Sequence, residues 1–291
     1  MKDTGTKDRS MFDYVVLDLS DIKSIMDAVK KFPHIDRICL NAGGLTSNTV
    51  HEKSGATTGI VSNVLGHSIL TDELLKAGKV NITGGRIVYV GSEITRTLWA
   101  FAGLLPLCYW SFTKTDLDWA ISKNYDGICS SCIPLRRQMG DYKNAKIIGQ
   151  NFYAAVGKEN PNIKVISVSP GAVGSSGMNG AYFPMNLMDS LIPCLFRCIC
   201  VSHPFETGVQ RYIDVLTPET IVWESGSMVL SGYGGCCCLW GAQGSVTDNR
   251  EYAAYFRDEE VIMETAVKVR EYQKKWIIAE SSIVVPNNGQ K

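Results

Sequence analysis

Apolar positions along this chain alternate between two rhythms. Short, nearly continuous runs are followed by longer stretches in which apolar residues recur every three or four positions. The first run, "DYVVLDL" at 13–19, is rich in β-branched residues and predicts a strand over 14–17. "SDIKSIMDAVKKF" follows, with Ser20 or Asp21 as N-cap. Ile22, Ile25, Met26, Val29 and Phe32 share one face, and Pro33 stops the helix. "DRICLNAGG" predicts a strand at 38–40 that leaves through small residues. A helix is expected over 58–77, with Ile60, Val64, His67, Leu70, Leu74 and Leu75 at helical spacing. "GGRIVYVGS" predicts a buried strand at 86–90, and "IKVISVSPGAV" another at 163–169. Near the end, "RDEEVIMETAVKVREYQKKW" has Asp258 as N-cap, acids in its first turn and bases in its last. Val261, Ile262, Ala266, Val269 and Trp276 form its stripe, so a docked helix is expected over 258–278.

Strands that alternate with helices imply βαβ units. The expected fold is α/β: a Rossmann-like, doubly wound parallel sheet in a single domain over 1–291. Ligands of such sheets bind beyond the carboxyl ends of the strands. Asn41, Ser92 and the pair Pro170–Gly171 all stand just past such an end.

Composition narrows the partners. Lys+Arg and Asp+Glu are both 29, so no net field attracts nucleic acid. The ten Cys lack regular spacing, and Cys236, Cys237 and Cys238 adjoin one another; this reads as free thiols in a reducing intracellular compartment, cytoplasmic or plastid. The first ten residues are polar and read as no secretory signal.

Tyr142 and Lys146 stand four apart at the start of a helix, a spacing that carries little alone. Its surroundings carry more. "NAG" at 41–43, "SNVLGHSILTDELL" from Ser62, "RIVYVGS" up to Ser92, "YKNAK" from Tyr142 and "SPGAVGSSGM" from Ser169 follow one another in order, after the pair Asp18–Leu19. With these residues placed, the chain resembles the short-chain dehydrogenase/reductases over roughly 13–235. Ser92 and Tyr142 are 50 positions apart, far more than in most of that superfamily. In this layout, and in "VGSEITRT", the chain looks like the light-dependent protochlorophyllide reductase branch, although the inserted residues do not read like that enzyme's.

The resemblance implies an NAD(P)H-dependent reductase of a carbonyl or C=C bond, with NADP slightly favoured over NAD. It implies Tyr142 as proton donor, Lys146 as the cation that lowers the phenol's pKa and holds the nicotinamide ribose, and Ser92 as the group orienting the substrate oxygen. Asn63 would hold a water that extends the proton relay. Asp18 and Leu19 would lie by the adenine, Asn41, Ala42 and Gly43 would form a turn beside the cofactor, and Pro170 and Gly171 would begin the loop over the nicotinamide. The residues alone read Asn41 as a turn residue satisfying backbone groups, and His67 as a packed helix residue.

An insertion is expected over 93–138 and a substrate-side lid over 179–225. The apolar stretches at 98–112 and 183–201 are too short to span a bilayer. They leave open core packing, a pocket wall for a large apolar substrate, or peripheral membrane contact. Cys129 and Cys132 form a CxxC without a second pair of suitable spacing, so no metal site is assigned. One family feature is missing. After Gly5 there is no glycine before Gly43, so the Gly-rich turn that seats a pyrophosphate is lacking, and the first βαβ unit reads as absent. The strand at 14–17 is then expected to pair directly with 38–40. The alternative to an enzyme is an N-terminally truncated, non-catalytic Rossmann-like subunit or scaffold of a larger assembly; a homo-oligomer is also open.

Overall fold

The computed structural model describes residues 13–46, 49–92, 95, 117–122, 134–171, 205–217, 223–231, 246–248, 250 and 258–282. Five strands form one sheet in chain order: β1 (Arg37–Leu40), β2 (Arg86–Val90), β3 (Lys164–Val168), β4 (Met228–Ser231) and β5 (Val246–Asp248). The first four are mutually parallel and β5 is antiparallel to β4. This is the α/β, Rossmann-like sheet that the alternating pattern implies.

Parallel neighbours need long crossovers, and helices supply them. Between β1 and β2 the chain forms α2 (Thr58–Ile60), a π turn (Val61–Leu65) and α3 (Gly66–Lys76) without a break. The short α4 (Leu117–Ser122) and the long α5 (Pro134–Glu159) precede β3, and α6 (Phe205–Leu216) precedes β4. Helix α1 (Ile22–Lys31) comes before the sheet and α7 (Glu259–Ser282) after it.

Side chains alternate across each strand, so each strand feeds two cores. Ile87, Tyr89 and Val165 join the larger core with α1, α2, α3, α5 and α7. Val88, Ile166, Val168 and Val229 face the other way, onto Val215, Tyr212 and Leu216 of α6. The caps read from the sequence are in place. Asp21 accepts from the Lys23 N–H, and Asp258 accepts from the N–H groups of Glu260 and Val261. Trp276 of α7 is fully buried.

One expected element does not form. Residues 13–17 make no strand and do not pair with β1, which bonds only β2 among the described strands. Tyr14 and Val16 are 86% and 82% exposed, while Leu17 and Leu19 lean on the core. A β-branched run without a ladder to fill keeps its backbone in water, where its polar groups are satisfied at no cost. Of the insertion at 93–138, Thr95, α4 and the first turn of α5 are described; of the lid at 179–225, α6 and 217 and 223–225. The two apolar stretches, the cysteine pair at 129 and 132 and the cysteine run at 236–238 lie outside the described residues. Among the described residues, no helix is long and apolar enough to cross a membrane.

Candidate active site

The carboxyl ends of β1, β2 and β3 bring three turns to one rim: residues 41–46, Gly91–Ser92 and Ser169–Gly171. The second is tied to the end of β3, since the Gly91 N–H donates to the Val168 carbonyl at 2.8 Å. Helix α5 carries Tyr142 and Lys146 against this rim. Tyr142 is 7% exposed and shares a side-chain hydrogen bond with Ser92. Lys146, 3% exposed, donates from Nζ to the Val90 carbonyl at 2.8 Å. That ammonium lies 5.5 Å from the centre of the Tyr142 ring. Three of the four expected catalytic residues therefore meet around the end of β2.

The electrostatics differ from the simple expectation. A neighbouring ammonium should lower the phenol's pKa. Instead the Tyr142 pKa is raised: burial outweighs the Ser92 hydrogen bond. Lys146 cannot reverse this, because burial lowers its own pKa to about 7 and leaves it only partly charged near neutrality.

Asn63 is fully buried in the π turn, and its side chain is engaged with backbone. Its Oδ1 accepts from the Gly44 N–H at 3.0 Å, and its Nδ2 donates to the carbonyls of Gly44 and Gly59 at 3.0 and 2.9 Å. This holds the 41–44 turn in place. His67, one turn further on, shares a 2.7 Å hydrogen bond between Nε2 and the Ala42 carbonyl. Burial lowers its pKa to about 4, so it is neutral and donates. The expected packing of His67 holds, and its ring also anchors the turn. Asn41 accepts from the Tyr212 hydroxyl at 3.3 Å. At the β3 exit, Gly171 adopts φ 82° and donates to Ser169 Oγ.

Asp18 is exposed and bonds within its own turn, accepting from the Ser20 N–H and hydroxyl at 2.8 and 2.7 Å. These bonds keep its pKa below the usual carboxylate value. Leu19 passes so close to α3 that a Cβ on Gly66 would lie 2.1 Å from its carbonyl oxygen.

Two residues that no motif picks out complete the site. Asp141, 2% exposed, accepts from the Thr57 hydroxyl at 2.7 Å and from the Gly59 N–H. Burial raises its pKa to about 6. It thereby ties the start of α2 to the residue before Tyr142. Tyr89 on β2 donates from its hydroxyl to the Asn63 carbonyl at 3.1 Å. An acid directly before the Tyr of "YKNAK" was the available signal for the first. For the second it was an aromatic among the aliphatic residues Ile87, Val88 and Val90 of β2.

The residues on this rim fit one end of a nicotinamide cofactor: an ammonium beside a phenol and a serine. They do not fit the pyrophosphate end. That end needs free N–H groups at a helix start, and the helix start at Thr57–Gly59 already holds the Asp141 carboxylate.

No protein-family profile and no curated protein matches the chain. Solved structures do. An uncharacterised protein from Mycobacterium paratuberculosis aligns over 89% of this chain and 74% of its own, with TM-score 0.56 and 17% identity. A short chain dehydrogenase family protein from Francisella tularensis aligns over 72% and 75%, with TM-score 0.46 and 16% identity. A short-chain dehydrogenase/reductase from Burkholderia xenovorans aligns over 70% and 68%, with TM-score 0.45 and 16% identity. The likeness is one of fold.

Proposed function

We propose that the chain is an oxidoreductase of the short-chain dehydrogenase/reductase type, with Tyr142 as proton donor to a carbonyl or C=C bond. The observation that carries this reading is the Tyr142–Ser92 hydrogen bond on the carboxyl rim of a parallel sheet, with Lys146 one turn along the same helix. Ser92 orients the substrate oxygen. Tyr142, fully protonated at neutral pH, hands over its proton, and Lys146 favours the phenolate left behind. NADPH or NADH, when bound, supplies the hydride. A large apolar substrate is proposed from the composition of 98–112 and 183–201. The finer likeness to protochlorophyllide reductase rests on the 50-position separation of Ser92 and Tyr142.

The test is reduction of a panel of aldehydes, ketones and enones at millimolar NADPH or NADH. Tyr142→Phe should lower turnover by about 10²–10⁴ without changing the thermal unfolding midpoint. Equal turnover in the variant would remove Tyr142 from the mechanism.

A second reading, a non-catalytic Rossmann-like subunit, is favoured by the Asp141 carboxylate at the helix start and by the lack of glycines between Gly5 and Gly43. Charge-assisted hydrogen bonds contribute roughly 1.5–3 kcal/mol each. Lacking two or three of them, these 291 residues should bind NADPH no better than about millimolar. A micromolar dissociation constant by calorimetry would remove this support.

A further inference from the structure

We propose that Tyr89 is a positioning residue of the site: its ring carries the Lys146 ammonium and its hydroxyl fixes the π turn that bears Asn63. The proposal rests on reading Tyr142 and Lys146 as the acid and its partner.

Tyr89 is fully buried on β2, in the larger core. Its ring centre lies 5.2 Å from Lys146 Nζ, and the next residue, Val90, supplies the carbonyl that accepts from the same nitrogen. The hydroxyl donates to the Asn63 carbonyl, within the turn where the helical ladder widens. The ring is held from below by Tyr153, stacked at 4.7 Å with planes 18° apart. Helix α5 makes room for it as well: a Cβ on Gly149 would lie 2.2 Å from the Tyr89 hydroxyl oxygen. One side chain thus touches the lysine of α5 and the asparagine of the π turn from a strand that belongs to neither.

The ring matters because of what surrounds Lys146. The titratable groups facing it are Tyr142 on its own helix, Tyr89 from β2 and His67 from α3. His67 is neutral, and burial is the cause that lowers the Lys146 pKa, with no charged group of α2, α4, α7 or β3 acting on it among the described residues. With no carboxylate there, the negative faces of two aromatic rings and the Val90 carbonyl favour the charged form. Removing the Tyr89 ring should let the Lys146 pKa fall further, whereas removing only its hydroxyl should not.

The test needs neither cofactor nor substrate. Lys146 is followed by NMR pH titration in the lysine-labelled chain, its resonance assigned by loss in Lys146→Met. Tyr89→Leu should move the midpoint down by about one unit. Tyr89→Phe should leave it within about 0.3 units, because the ring remains. Should the leucine variant fail to fold, 3,4,5-trifluorophenylalanine at position 89 keeps the shape, weakens the ring's negative face, and should lower the midpoint in the same direction. Tyr89→Phe should also speed amide exchange across Val61–Leu65 by about three- to tenfold, since the Asn63 carbonyl loses its partner. A Lys146 midpoint that does not move when the ring is removed or fluorinated would overturn the proposal, as would unchanged exchange in Tyr89→Phe. A shifted midpoint in a chain without reductase activity would leave this inference standing and sink the enzymatic reading alone.

Discussion

Gly43 and Asn63 fit together with no room for another atom: a Cβ on Gly43 would lie 2.4 Å from Asn63 Oδ1. Gly43 also adopts φ 134°, a conformation that side-chain-bearing residues rarely take. The reciprocal bonds between Asn63 and Gly44 depend on this close approach.

Gly43→Ala should therefore destabilise the fold by about 1–3 kcal/mol through backbone strain, with the displaced Asn63 adding to it. Asn63→Ala should cost a similar amount by stranding the Gly44 N–H and C=O. Because the two share one contact, the double variant should lose less than the sum of the singles. Urea unfolding of the three variants checks this; strict additivity would show that Gly43 and Asn63 do not cooperate.

Two buried groups should pull the pH dependence of stability in opposite directions. Asp141 has a folded pKa of about 6, above its ordinary 3.8, so its folded form holds a proton that the unfolded chain releases. Its contribution is fully present below about pH 4 and is lost as pH rises through 6, a change of roughly 3 kcal/mol. His67 has a folded pKa of about 4, below its ordinary 6.5. Its contribution is present above pH 6.5 and is lost as pH falls through 4. The wild-type curve between pH 4 and 6.5 should consequently be flattened. Asp141→Asn should expose stability that rises with pH, and His67→Gln should expose stability that falls with it. Urea midpoints at half-unit pH steps decide the matter, and parallel curves for all three proteins would refute it.

Helix α7 should behave as part of the core. Trp276 is fully buried with His51 edge-on at 5.1 Å, and Ile262, Ala266, Val269 and Tyr272 are buried along the same helix. Trp276→Ala should cost about 3–5 kcal/mol, and amides of Val261, Ala266 and Val269 should exchange as slowly as those of β2. Fast exchange throughout α7 would contradict the docking.

Much of the fold was legible because burial writes itself into the sequence as period. The stripes of α1, α3 and α7 and the continuous runs of β2 and β3 were read correctly. The run at 14–17 was misread for a physical reason: β-branched residues report a readiness to pair, and pairing needs a neighbour that residues 13–17 lack among the described strands. The π turn was illegible because Val61–Leu65 has the same apolar spacing as the α-helix on either side. Ser92, Tyr142 and Lys146, which meet at the candidate site, were singled out from motif order. Asp141 and Tyr89 were not, since their importance lies in what they touch across 84 and 26 positions of chain.

The π turn has a bearing on how such a chain can change. The Gly66 N–H donates to the Val61 carbonyl, five residues back where an α-helix would reach four. The ring so closed houses one surplus residue, while α2 and α3 on either side keep their own hydrogen-bond ladders. A chain shorter by that single residue would run through as plain α-helix. Asp141 would still find Gly59, which lies before the widened turn, and Leu19 would still lie near the start of α3 at Gly66, the residue that closes it. What would change hands is the position opposite Gly44. Length variation of one residue, ordinarily ruinous inside a buried helix, is here confined to the residue that meets the rim.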